Sequence, residues 1–135
     1  MVIHVRRLLF ACLFCLSSIS YADLLVGMTA FHMHDYKTAY NYLEPYAKKG
    51  NVGAMYLMGR MYQLGRGVKS SPKQAFYWFH KAALLNYSRA QLSLGYLYDR
   101  GKGITRNYKQ SFKWYLKAAT AGNSVAQRNI ALMYL

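Results

Sequence analysis

Acidic residues are nearly missing from this chain: 4 Asp and Glu stand against 18 Lys and Arg in 135 residues. Catalysis by paired carboxylates needs two acids in one cleft, and Asp23, Asp35, Glu44 and Asp99 are the whole supply. Proline is scarce too, with two residues, so little stands in the way of helices. Cysteine occurs only at positions 12 and 15. No serine sits in a nucleophile-elbow motif. These gaps point away from an enzyme. The one continuous apolar run, Leu8–Ile19, is shorter than the ~20 residues a membrane-spanning helix needs.

That run has a different meaning. Arg6 and Arg7 precede it, and Ser20-Tyr21-Ala22 places small residues three and one positions before a break. The pattern is that of a signal peptide over residues 1–22, with cleavage expected between Ala22 and Asp23. Leu9-Phe10-Ala11-Cys12 loosely resembles a lipobox, but Phe10 is bulky there and the preceding run is short. The expected destination is therefore periplasmic or secreted. Removal of the segment takes both cysteines with it, so in an oxidising compartment the fold must rest on packing without disulfides. It also leaves 16 basic residues (18 less Arg6 and Arg7) against 4 acidic ones.

What the chain has in abundance is apolar and aromatic side chains arranged in repeats. Hydrophobic residues make up 54%, including 14 Tyr, 6 Phe and 2 Trp. Residues 54–89 and 90–125 align without gaps and agree at 13 of 36 positions, Gly59/Gly95, Gly65/Gly101, Gly67/Gly103 and Trp78/Trp114 among them. Residues 126–135 begin another copy, as a partial repeat or a capping helix. Residues 23–53 read as a shortened first copy lacking the Gly-x-Gly loop, with Tyr42 at the Trp78 position.

Each unit reads as two helices. The first spans about Ala54–Leu64, apolar at Ala54, Leu57, Met58, Met61 and Tyr62, and Gly65 and Gly67 end it. The second spans about Pro72–Leu85, with Ser71 as N-cap and Pro72 in the first turn. Asp35, Ser71 and Asn107 form an N-cap column; Gly50, Asn86 and Gly122 form a helix-end column. Glycine inside a helix is costly, so Gly59 and Gly95 imply close helix contact, and the rings expected opposite them are Trp78 and Trp114. The fold expected is all-α: a right-handed α-solenoid of antiparallel helix pairs, about three units long.

The string Ala-x4-Gly-x2-Tyr-x2-Gly-x-Gly-(Val/Ile)-x4-Lys-x4-Trp-x2-Lys-Ala-Ala resembles the Sel-one-like repeat, a relative of the tetratricopeptide repeat. The resemblance implies a non-catalytic binding scaffold, an adaptor of the kind found in bacterial envelopes, host contact or protein quality control. One exported branch of the family is cysteine-rich, with a disulfide in each repeat, and has been linked to penicillin binding. Here Ala83 and Ala119 lie near where that branch would place cysteine, which argues against the branch.

The expected binding surface is the concave face. Helical phasing places Tyr56, Arg60 and Gln63 on it in one unit, Leu92, Tyr96, Asp99 and Arg100 in the next, and Arg128 beyond. Tyr and Arg are favoured where proteins bind proteins, so the expected partner is a protein or peptide in the envelope or outside the cell. The alternative surface is a lysine stripe, Lys109, Lys113 and Lys117, partly repeated at Lys73 and Lys81. It suits an anionic lipid or an acidic polysaccharide, with nucleic acid disfavoured by export. No cofactor is expected: the Gly65-Arg66-Gly67 and Gly101-Lys102-Gly103 loops lack the spacing and the strand-to-helix setting of a phosphate loop. No metal is expected either, because His32 and His34, two apart near a helix end, point to different faces.

Overall fold

The structure, a computed structural model, describes residues 21–135. The expected signal segment lies outside them, apart from Tyr21 and Ala22 in the first described helix. Seven helices and no strand occur among the described residues: α1 (21–32), α2 (Tyr36–Lys48), α3 (Val52–Leu64), α4 (Pro72–Leu84), α5 (Ser88–Arg100), α6 (Tyr108–Thr120) and α7 (Ser124–Met133). From α2 onward each helix packs on the next in chain order, which is the α-solenoid the repeats call for. No described helix is long and apolar enough to cross a membrane.

The helix ends follow from local chemistry. The side chains of Asp35, Ser71 and Asn107 accept from the backbone N–H of Thr38, Gln74 and Gln110 at 3.2, 3.2 and 3.0 Å. Each bond satisfies a donor that the helix itself cannot. Asn51 and Asn123 do the same for α3 and α7, so α3 starts at Val52, ahead of the first apolar periodic residue. Tyr87 holds the same place before α5 but makes no side-chain cap. Its ring instead lies 5.3 Å from that of Tyr56.

Three residues suffice to join one unit to the next. Gly50, Asn86 and Gly122 take φ of +100°, +61° and +90°. The N–H one residue further on reaches back to Tyr46, Ala82 and Ala118 respectively, a Schellman closure. Asn51 and Asn123 thus close one helix and cap the next. The first unit uses this device internally: His34 has φ +66°, and the Asp35 N–H donates to the Ala30 carbonyl while Asp35 caps α2. Its short connection replaces the seven residues at 65–71 and 101–107.

With those four residues gone, Gly27 falls into register with Gly59 and Gly95. A Cβ at Gly59 would come within 2.6 Å of the Phe79 ring, one at Gly95 within 2.5 Å of the Tyr115 ring, and one at Gly27 within 3.0 Å of Leu43. The expectation of tryptophan at this contact is corrected by one position: Phe79 and Tyr115 face the glycines. Successive residues turn ~100° about a helix, so Trp78 and Trp114 face another way. Trp114 meets His80 of the preceding unit edge-on at 6.1 Å. Lys81 and Lys117 lie over the two indoles at 5.6 and 4.8 Å.

Two further glycines seat each loop on the preceding unit. Gly67 (φ +74°) lies where a Cβ would meet the Tyr36 carbonyl oxygen at 2.6 Å, and Gly103 (φ +75°) abuts the Pro72 carbonyl at 2.5 Å. Gly50 has a positive φ but open space around it. Gly50→Ala should therefore cost ~1–2 kcal/mol, the left-handed penalty alone. Gly67→Ala should cost a further ~1–3 kcal/mol for overpacking. Urea denaturation of the two variants measures the difference, and equal losses would show that the loop is not seated as described.

Candidate functional site

The first helices of the units, α3, α5 and α7, carry the residues expected to bind. On α3, Tyr56 and Arg60 pair with each other: Arg60 Nη1 donates to the Tyr56 hydroxyl at 3.2 Å. The Tyr56 ring also leans on Phe79, with centroids 5.8 Å apart, and on Tyr87. Tyr56 therefore packs against the core between units. Arg60 Nε is buried without a hydrogen-bond partner. Leu92 is half-buried and Arg128 is exposed.

The other four residues come together around Tyr96, which is 40% exposed. On one side of it, a cavity of about 390 Å³ lies between α3 and α5 and holds Gln63. Ser70, Pro72 and Lys102 also line it. On the other side, a cavity of about 380 Å³ lies between α5 and α7, lined by Tyr96, Asp99, Arg100, Tyr115, Asn129 and Leu132. Tyr96 borders both.

The second cavity has the more varied chemistry. Arg100 Nε stands 3.5 Å from Asp99 Oδ2, and its guanidinium lies 5.8 Å from the Tyr96 ring centre. Leu132 adds an exposed apolar wall. Tyr115 forms the floor and is nearly buried. Burial raises its phenol pKa above the ordinary value, and the negative charge of Asp99 adds to the effect. The floor is therefore neutral at physiological pH, with one anion and one cation at the rim.

Sequence phasing missed Tyr115, Asn129 and Leu132. Tyr115 had a signal, since it shares its repeat position with Phe79, but the neighbouring tryptophan had been given that place. Asn129 and Leu132 lie on α7, at positions that match neither preceding unit in residue type. Elsewhere, His34 Nδ1 lies 2.6 Å from the Tyr36 hydroxyl and His32 packs edge-on to Phe31. Among the described residues no three metal-binding side chains gather.

The two matches of the family model "Sel1 repeat" cover residues 52–87 and 88–123. Among solved structures, a Sel1 repeat protein from Oxalobacter formigenes is 31% identical over 82% of this chain and 45% of its own, with a TM-score of 0.78. A protective antigen present in uropathogenic Escherichia coli strains, displaying an SLR fold, is 30% identical over 87% of this chain and 26% of its own, with a TM-score of 0.82. The chain thus spans less than half the length of either. Helicobacter pylori cysteine rich protein B is 24% identical over 82% of this chain and 90% of its own, with a TM-score of 0.66, and shares the fold. No curated protein matches the chain in sequence.

Two phenols with raised pKa, Tyr115 and Tyr40, give a test of this packing. Tyr40 is also raised well above its ordinary 10.0, first by its hydrogen bond with Tyr62 and then by burial and Glu44. A phenol whose folded pKa is raised stabilises the fold below the unfolded pKa and loses that contribution as pH rises through the folded pKa. The melting temperature should therefore fall as pH rises beyond about 10. Tyr40→Phe and Tyr115→Phe should each flatten that fall. An unchanged alkaline slope in both variants would refute the assignment.

Proposed function

The chain belongs to the Sel1 repeat family, and we propose that it works within that family as a non-catalytic scaffold, gripping a protein or peptide partner along its first helices. The observation that carries the reading is the position of Tyr96. One exposed ring borders the cavities on both sides of α5, so a segment laid across Tyr96 would meet both, from Gln63 to Leu132. Repeat scaffolds of this kind generally bind proteins. A half-exposed tyrosine beside an arginine is the side-chain chemistry that most often anchors such contacts. Asp99 and Arg100 would fix the register of a bound segment by charge. Export belongs to the same reading: Arg6, Arg7, the run Leu8–Ile19 and Ser20-Tyr21-Ala22 support a cleaved leader and a partner in the envelope or beyond it.

A second reading has its own support. No acidic residue occurs in 45–98 or in 100–135. Lys73, Lys81, Lys109, Lys113 and Lys117 on α4 and α6 therefore form a cationic surface with no acid on those helices to offset it. Among the described residues the ion pairs that form are Lys48–Glu44 and Arg100–Asp99, neither on that surface. It suits an anionic polymer or lipid surface.

The two readings part on salt. Envelope proteins retained by the immobilised protein at high salt, and lost with Tyr96→Ala and Arg100→Ala at unchanged melting temperature, would support the first reading. Retention of acidic polymer alone, stripped as salt rises, would overturn it in favour of the lysine surface. Export is read separately, by sequencing the amino terminus of the protein recovered outside the cytoplasm. A start at Asp23 is expected, and a start at Met1 would refute the cleaved leader.

A further inference from the structure

A third cavity, of about 310 Å³, lies at the junction after α4, between the start of α5 and the end of α6. Asn86, Gln91, Lys117, Thr120 and Ala121 line it. Its size is at the low end of ligand pockets, which run from about 300 to 1,000 Å³. Gln91 is unusual among these residues. It is only 3% exposed, and its Nε2 is committed to the Ala83 carbonyl at 3.3 Å. Its Oε1 is buried with no hydrogen-bond partner. A buried acceptor left unmatched costs stability unless something supplies a donor.

The internal repeat provides a control. One unit earlier the corresponding residues are Gly50, Met55, Lys81, Leu84 and Leu85, so the same place is mostly apolar there. One unit later Gln127 again donates to a carbonyl, that of Ala119 at 3.1 Å, but it is exposed. The polar cavity is thus particular to this junction. It is not a requirement of the repeat.

The groups around it specify what they would accept. The Thr120 hydroxyl donates to the Lys117 carbonyl at 2.9 Å, which leaves its lone pairs free. Gln91 Oε1 and Thr120 Oγ1 both call for hydroxyl or N–H donors. Lys117 calls for an anion, and Asn86 can serve either need. A sulfate group is an acceptor only and cannot satisfy Gln91. A neutral sugar lacks the anion. A free amino acid brings an ammonium close to Lys117.

We infer that this cavity is a subsite for a carboxylated sugar residue, with its carboxylate on Lys117 and its hydroxyls donating to Gln91 and Thr120. The inference rests on the second reading above and narrows it from any polyanion to an acidic polysaccharide.

The test is a titration of the purified protein followed by amide NMR, with sodium glucuronate, glucose and sodium sulfate as probes. Saturable shifts at Asn86, Gln91 and Thr120 are expected with glucuronate, and none with the other two. Gln91→Met restores the side chain buried at Met55 and should leave the fold intact. It should weaken glucuronate about tenfold, the effect of one good hydrogen bond. Lys117→Gln should erase the preference for glucuronate over glucose. Absence of saturation, an equal response to sulfate, or an unchanged affinity in Gln91→Met would overturn the subsite. Retention on a polygalacturonate column separates the two levels. Retention without pocket shifts would remove the subsite and leave the lysine surface standing, whereas neither signal would remove both.

Discussion

Everything in this fold is spaced by the contact between a glycine and a large side chain. Gly27 under Leu43, Gly59 under Phe79 and Gly95 under Tyr115 let the second helix of each unit come down onto the backbone of the first. Helix interiors disfavour glycine by ~1 kcal/mol against alanine, so the close approach has to return more than that in packing. It also allows a bond that a wider spacing would forbid: Ser111, fully buried, donates from Oγ to the Gly95 carbonyl at 2.8 Å. The cavities on either side of Tyr96 are what remains between units whose internal distance is set this way.

The helix ends were the most legible part of the chain. Capping depends on a side chain and a backbone a few residues apart, so Asp35, Ser71 and Asn107 could be read from sequence alone and cap as expected. The packing partners were legible only to within a residue. A repeat places both Trp78 and Phe79 in register with aromatic counterparts, and periodicity cannot say which ring faces the glycine. Gly27 was hidden for another reason: the shortened connection moved it four residues out of the 36-residue frame.

The candidate site was half legible, because phasing finds which face of a helix a residue occupies but not what stands opposite. Gln63, Tyr96, Asp99 and Arg100 border the cavities. Tyr56 does not, because Phe79 and Tyr87 claim its ring. Tyr115, Asn129 and Leu132 came into view only when α6 and α7 were placed beside α5. Gln91 gave no signal in sequence, since an unmatched acceptor exists only relative to its surroundings.

The three-residue junctions bear on how such a chain can change over time. Between units the middle residue holds a left-handed backbone, and its neighbours are engaged in closing one helix and opening the next. An insertion there would break two helix ends together. The connection inside a unit is under no such double duty, and it already exists at two lengths, three residues in the first unit and seven in the others. Length variation compatible with this stacking is therefore channelled into one class of loop. The stacking of units can persist while the flank of the molecule that bears those loops diversifies.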